Sequence, residues 1–204
     1  MRLPFLHRVA ALFTPTSVAD GTAPKTTRLM LHGVPVTIVN SRPDIDTDVV
    51  IARLDEALAL IAAHQPWRLR HVQRDVRGIR VERFACRGAF LPDERVIITE
   101  LTFLARRDIS AAPVASSILH EGVHARVHAM GVARSAALLP REERLCRRAE
   151  LAFGQALPPA LGVPVVERAL ASLTLADGEV APRVDWAEAG RRQRAVDAAA
   201  GGGG

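Results

Sequence analysis

Two histidines near the middle of the chain have the spacing of a metal-binding helix. The segment His120-Glu121-Gly122-Val123-His124 places both imidazoles one helical turn apart on the same face, where they can bind one metal ion. Glu121 then lies beside a metal-activated water, where a general base is needed. The alternative is a surface helix with two solvated histidines, and the elements predicted around the segment favour the metal site.

A third protein ligand is expected, because catalytic zinc usually has three protein ligands and an open water position. A histidine at the metzincin spacing would be residue 130, which is Met130, so that class is excluded. His128 lies one turn beyond His124, but it drifts off the metal-binding face. We therefore expect His128 either to be solvated or to contact one of the residues that bind the metal. The remaining candidates are carboxylates on the next predicted helix.

That helix, predicted over 141–157, carries Glu142, Glu143 and Glu150. Its periodicity places Glu142 near the centre of the apolar face and the other two glutamates on the flank. A buried Glu142 without a partner would be costly, so periodicity alone favours it as the ligand. Glu143 can instead pair with Arg147 at i,i+4, which is worth only about 0.2–0.5 kcal/mol. The residues alone leave all three glutamates open as ligands.

The predicted elements are those of an α+β protein with a small antiparallel or mixed sheet, which packs against the metal-binding helix and the helix after it. The strand-like segments are 31–40, with the pattern of an edge strand, 68–73, 79–86 and 95–101. The predicted helices cover 44–63, the segment from Ser110 to Gly131, 141–157, and one or two weaker stretches beyond Leu161. We expect a flexible arm over 1–27, one domain over 28–175, and a tail over 176–204 that is disordered from 198 onward.

Composition indicates a soluble globular protein. The chain has 204 residues, 49% of them hydrophobic, and a net charge of +5 that comes from arginine because Lys25 is the only lysine. The arginines alternate with glutamates along the helices and do not cluster with aromatic residues, which argues against nucleic acid as a partner. Two cysteines are too few for a disulfide scaffold and favour the cytoplasm. The sequence shows neither a secretory signal nor a membrane span.

Glu143 follows His124 after 18 intervening residues, and with this spacing the chain resembles the gluzincin metallopeptidases. Their motif is His-Glu-x-x-His, then about 18 residues and a glutamate on the next helix. The resemblance covers residues 67–157 and is to the compact, single-domain members. It implies a zincin-like fold in which His120, His124 and Glu143 bind Zn²⁺ and Glu121 is the catalytic base.

The resemblance also implies a substrate cleft along the last strand of the sheet, an edge strand whose counterpart in this chain is 95–99. Family members commonly stabilise the oxyanion with a Tyr or His outside the metal ligands, and this chain contains no Tyr. The residues that would take this role are His71, Arg126, His128 and Arg147.

The expected function is therefore that of a zinc-dependent metallohydrolase, a peptidase whose substrate is a peptide or protein. The alternative is a binding protein of the same fold, weakly active or inactive, with a structural zinc, and the missing Tyr favours it. An open metal position beside Glu121 would indicate catalysis, whereas a fourth protein ligand would indicate a structural site. The sequence indicates neither the substrate nor the oligomeric state.

Overall fold

The computed structural model describes residues 24–132, 135, 137–181 and 185–201. Within these ranges the chain forms an α+β fold with five strands and eight helices. The strands are β1 (Lys25–Leu31), β2 (Val34–Asn40), β3 (Gly78–Glu82), β4 (Gly88–Leu91) and β5 (Val96–Glu100). The helices are α1 (Thr47–His64), α2 (Pro66–Asp75), α3 (Leu101–Ala105), α4 (Ala112–Ala129), α5 (Leu139–Ala156), α6 (Pro159–Leu173), α7 (Asp177–Val180) and α8 (Trp186–Gly201).

The five strands form one mixed sheet in the order β1-β2-β3-β5-β4. The three central strands β2, β3 and β5 run parallel, and each outer strand, β1 or β4, pairs antiparallel with its neighbour. Helices α1 and α2 form the crossover between the parallel strands β2 and β3, as a connection of this kind requires. The mixed sheet expected from the sequence is confirmed, but β2 lies inside it, so the edge position predicted for 31–40 is wrong.

β1 and β2 form a hairpin that the sequence pattern did not predict. The two-residue loop His32-Gly33 has positive φ at both positions, +47° and +74°, which is the geometry of a type I′ turn. Glycine adopts this conformation without strain, and histidine is among the residues that tolerate it. β1 begins at Lys25, three residues inside the arm expected over 1–27. Residues 1–23 lie outside the described residues.

The main core lies between one face of the sheet and the helices. α1 contributes the apolar stripe that its sequence predicts, with Val50, Leu54, Leu58 and Ile61 all fully buried. The sheet contributes β-branched side chains from β2, β3 and β5, which are Val36, Ile38, Ile79, Val81 and Ile97. Burial of these side chains is the main source of stability, at about 1.5–3 kcal/mol for each large aliphatic side chain.

Two further sequence-based predictions that concern the sheet are wrong. Residues 68–73 belong to helix α2, not to a strand. Leu69 and Val72 are its buried apolar residues, and their separation of three positions is a helical spacing. The strand at 95–99 is also not an edge, because β5 lies between β3 and β4. The edge strand on this side is β4, which precedes it in the chain.

The helices predicted from Ser110 to Gly131 and over 141–157 are confirmed as α4 and α5. The segment expected as a tail contains α7 and α8 within its described part. α8 extends to Gly201 and so covers the first residues of the segment that is expected to be disordered from 198, whereas residues 202–204 lie outside the described residues. In α8, Asp197 accepts a hydrogen bond from Arg83 at 2.7 Å, which links this helix to the end of β3. None of the helices in the described ranges is long and apolar enough to cross a membrane.

Candidate metal centre

α4 is buried over most of its circumference, which restricts where its polar side chains can point. Its apolar residues Ile118, Leu119 and Ala125 are at most 2% exposed and pack in the main core. The two histidines therefore point away from the sheet core and toward α5, and both are buried. A buried imidazole pair requires polar partners, and these partners come from α5.

The Nε2 atoms of the two histidines converge on a single carboxylate. They lie 3.3 Å apart. Glu143 places Oε2 at 3.2 Å from Nε2 of His120 and Oε1 at 3.2 Å from Nε2 of His124. The structure thus brings together the three residues that the sequence predicts as metal ligands.

The spacing of these donor atoms fits a zinc ion. Zinc binds imidazole nitrogen and carboxylate oxygen at about 2.0–2.2 Å with tetrahedral geometry, so any two such donors are about 3.3 Å apart. The two Nε2 atoms lie 3.3 Å apart, which matches this value, and each of them lies 3.2 Å from a different oxygen of Glu143. The donor set of two imidazole nitrogens and one carboxylate also suits zinc.

The other two glutamates of α5 contact the opposite nitrogen of each ring. Nδ1 of His120 lies 2.6 Å from Oε1 of Glu150, and Nδ1 of His124 lies 2.6 Å from Oε1 of Glu142. A carboxylate only accepts hydrogen bonds, so each Nδ1 carries the proton and each Nε2 is directed toward Glu143. Metal-ligating histidines commonly have such a partner, which fixes the ring orientation and raises the basicity of the ligand.

The carboxylates dominate the electrostatics of the site. Burial alone would lower the pKa of His120, but its hydrogen bonds to Glu143 and Glu150 outweigh burial and raise this pKa to about 10. Burial would also lower the pKa of His124, yet contacts with Cys146, Glu142 and Glu143 raise it well above its ordinary value. The histidines in turn hold the pKa of Glu143 well below its usual range, against the opposing effect of burial. The cluster therefore favours positive charge at its centre, as a bound divalent cation would provide.

Glu150 is held in place by several donors in addition to His120. It is completely buried and accepts hydrogen bonds from Ser116 at 3.0 Å, Arg147 at 2.7 Å and Arg168 at 2.8 Å. Burial raises the pKa of Glu150, but the hydrogen bond from His120 and the two arginines lower it to about 2. Glu150 is thus ionised and rigidly oriented, as a residue that positions a metal-binding histidine needs to be.

Cys146 is a further donor at the site, and the sequence analysis did not identify it. Its Sγ lies 3.6 Å from Nε2 of His124, and His120, His124 and Cys146 form a buried group that could hold a metal ion. Zinc binds thiolate at about 2.3 Å, so a sulfur and a nitrogen on one zinc ion are about 3.6 Å apart. Helical spacing could have indicated this residue, because Cys146 is one turn after Glu142 on α5.

Glu121 points to the other side of the site, toward the edge strand β4. A Cβ atom added to Gly88 of β4 would lie 3.4 Å from Cγ of Glu121 and 3.0 Å from Oγ of Ser117. The absence of a side chain at Gly88 therefore lets α4 approach β4 closely. Within the described part of the chain, Glu121 forms no hydrogen bond or ion pair. Its carboxylate is therefore available to a substrate or a water.

The four residues considered for oxyanion stabilisation occupy different places. His128 lies on the β4 side, with its ring centroid 5.7 Å from that of Phe90. His71 and Arg126 line a cavity between α2 and α4, whereas Arg147 is bound to Glu150. Of the four, His128 is the one that shares the side of α4 on which Glu121 lies.

Comparison with protein-family models, curated proteins and solved structures finds no match to this chain.

Proposed function

We propose that this protein is a zinc-dependent hydrolase that cleaves peptide bonds in a peptide or protein substrate. The observation that carries the proposal is the carboxylate of Glu143, which faces Nε2 of both His120 and His124 at 3.2 Å. Glu142 and Glu150 hold the two rings in the orientation that this arrangement needs. The resemblance of the motif and its spacing to the gluzincins supports a zincin-like fold and this chemistry.

In the proposed mechanism, His120, His124 and Glu143 would hold the zinc ion. Zinc, when bound, polarises a carbonyl group and lowers the pKa of water toward ~7. Glu121 accepts the proton of the water that attacks the scissile carbonyl and returns it to the leaving amine. A general base needs a carboxylate that is free of competing partners, and Glu121 meets this condition among the described residues.

The proposed binding place for the substrate is the edge strand β4. It pairs with β5 on one side, and among the described strands none pairs with its other side. An extended peptide can add to such an edge through main-chain hydrogen bonds, next to Glu121 and His128. This edge replaces the strand at 95–99 that the sequence suggested. We keep the cytoplasm as the proposed location, since Cys86 and Cys146 are both free thiols.

A second candidate function is a binding protein with a structural zinc. Cys146 favours it, because a thiolate ligand in addition to His120, His124 and Glu143 would complete a tetrahedral site with no open position. The two functions differ in the number of protein ligands and in the role of Glu121.

The test is hydrolysis of unstructured protein by the zinc-loaded enzyme. We expect casein incubated with the purified chain to yield new peptides by mass spectrometry, and we expect a zinc chelator to abolish them. Glu121→Gln removes the base but keeps the shape, so it should retain zinc and lose about 10²-fold or more of the activity.

Glu167→Gln, a change of an exposed glutamate on α6, is the matched control and should cleave as wild type does. Casein cleavage that is equally fast in Glu121→Gln would contradict the proposed mechanism. If wild type and Glu121→Gln both bind zinc and neither cleaves casein or a diverse peptide library, the binding protein with a structural zinc becomes the favoured function.

A further inference from the structure

A cavity of about 220 Å³ lies between α2, α4 and α5, separate from the β4 side of the metal site. It is smaller than the roughly 300–1,000 Å³ of pockets for drug-sized ligands, so it suits a small molecule or a single side chain. Leu119, Val123 and Leu145 give it an apolar wall. On α4 these wall residues alternate with the metal-binding histidines, so the cavity lies on a different face of the same helix.

The cavity combines this apolar wall with a cationic rim. Arg68 and Arg126 line it together with His71 and Trp67. The guanidinium of Arg68 lies over the ring of Trp67, with Cζ 4.2 Å from the ring centroid. Such stacking fixes the plane of the guanidinium and leaves its N–H donors directed along that plane, which is the geometry that binds a carboxylate through two hydrogen bonds.

Arg68 lacks the counter-ion that a partly buried arginine normally has. In the ranges that the structure describes, it forms no ion pair, and its Nε is buried without a hydrogen-bond partner. Burial lowers the pKa of Arg68, and the nearby Cys146 opposes this effect. A charged group that is partly buried without a counter-ion is costly, and an anion bound by the remaining N–H groups of this guanidinium would offset that cost.

The second arginine leaves the cavity positively charged. Arg126 lies 3.7 Å from Asp75, but Asp75 is already paired more closely with Arg74, at 2.7 Å. The pKa of His71 is lowered by burial and by the charges of Arg74 and Arg126, against the opposing effect of Asp75. Two cations therefore face the cavity. Among the described residues, Arg126 has one carboxylate nearby, which is already paired with Arg74, and Arg68 has none.

We propose that this cavity is a binding site for a small organic carboxylate, a ligand with an apolar body against Leu119, Val123 and Leu145 and a carboxylate between Arg68 and Arg126. The apolar wall favours such a ligand over inorganic phosphate, which has no apolar part to bury. The site does not depend on the proposed hydrolase activity, because none of the residues that carry it contributes to the metal centre.

The test uses benzoate as the probe, with benzamide as its neutral isostere and inorganic phosphate as the purely ionic comparison. Titration calorimetry of the full chain, supported by saturation-transfer NMR, should show saturable binding of benzoate and at least tenfold weaker binding of the other two compounds. Arg68→Gln and Arg126→Gln should each weaken benzoate binding about tenfold or more, as expected for loss of a charge-assisted hydrogen bond. Arg68→Lys, which keeps the charge and loses the planar fork, should fall between wild type and Arg68→Gln.

Arg70→Gln is the matched control, because Arg70 is an exposed arginine of the same helix α2 and does not line the cavity. It should bind benzoate as wild type does, and circular dichroism should show that all variants are folded. The proposal is overturned if benzoate and benzamide bind equally, if phosphate binds as well as benzoate, or if Arg70→Gln weakens binding as much as Arg68→Gln. Benzoate that binds at the metal would keep its affinity in both Arg68→Gln and Arg126→Gln, and this result would also overturn the proposal.

Discussion

Nδ1 of His120 lies 2.6 Å from Oε1 of Glu150, although the two residues are 30 positions apart and belong to different helices. This contact decides which nitrogen of His120 faces the metal site, because a ring held at Nδ1 presents Nε2 on its opposite side. Glu150 keeps its position through Ser116, Arg147 and Arg168. The geometry of the site thus depends on residues that the motif His-Glu-x-x-His does not contain.

The first prediction concerns the metal itself. The wild-type chain should purify with about one zinc ion, because three nitrogen and oxygen donors converge at the spacing that zinc requires. His120→Ala and His124→Ala should each lose it, as measured by mass-spectrometric metal analysis. His128→Ala is the control, since His128 is an exposed histidine one turn further along α4, and it should retain zinc. Equal zinc content in all four proteins would contradict the metal site.

The second prediction ranks the three glutamates of α5. Glu143→Gln should lower the affinity for zinc most, by more than 100-fold, because Glu143 is the one that faces both Nε2 atoms. Glu142→Gln and Glu150→Gln should lower it by about 10–100-fold, the usual cost of removing the partner of a metal-bound histidine. Competition with a chromophoric chelator measures all three values.

Glu167→Gln serves as control in this series and should bind zinc as tightly as wild type. The assignment of Glu143 as ligand is wrong if Glu142→Gln or Glu150→Gln loses zinc more readily than Glu143→Gln.

The site could be predicted from the sequence only up to the choice among these glutamates. The spacing of His120, Glu121 and His124 and the two helices that carry the site are visible as periodic patterns. Periodicity alone favours Glu142 as the ligand, whereas in the structure Glu143 is the residue that faces both Nε2 atoms. Their roles differ in which ring nitrogen each one contacts, and this depends on the distance and angle between α4 and α5.

The errors in the sheet have a common physical cause. β1 is half exposed, β4 has only four residues, and the turn at His32-Gly33 lacks the usual Asn-Gly or Asp-Gly signature. The period-2 signal of such strands is weak. Residues 68–73 fold as a helix because Val72 packs against α4, where a Cβ added to Gly122 would lie 3.1 Å from Cγ2 of Val72. Tertiary contacts of this kind are not visible in a local pattern.

The third prediction tests the position of Glu121 through a neighbouring thiol. Burial, reinforced by the negative charge of Glu121, raises the pKa of Cys86 to about 12. A raised pKa favours the unreactive neutral thiol, so at pH 9 Cys86 should react with iodoacetamide about 10³-fold more slowly than an ordinary thiol of pKa ~8.5. Its rate should keep rising up to about pH 11, whereas that of an ordinary thiol levels off above pH ~9. Peptide mapping of the alkylated protein follows Cys86 specifically.

Glu121→Gln removes the nearby negative charge and should therefore make the alkylation of Cys86 faster, whereas Glu167→Gln should leave the rate unchanged. The same rate in Glu121→Gln and wild type would show that the Glu121 carboxylate does not lie beside this thiol.

The fourth prediction decides whether the metal site is open or closed. Cys146 contacts Nε2 of His124, whereas Glu143 contacts Nε2 of both histidines. We therefore expect Glu143, and not Cys146, to be the third ligand of an open site.

In the protein loaded with cobalt(II), a thiolate ligand gives a near-ultraviolet charge-transfer band that carboxylate and imidazole do not give. We expect no such band, and we expect Cys146→Ser to keep both its zinc and its activity. A band in the wild type that disappears in Cys146→Ser would show that the thiolate binds the metal. With Glu143 also bound, four protein ligands would then fill the tetrahedral site, and the structural-zinc function would replace the hydrolase.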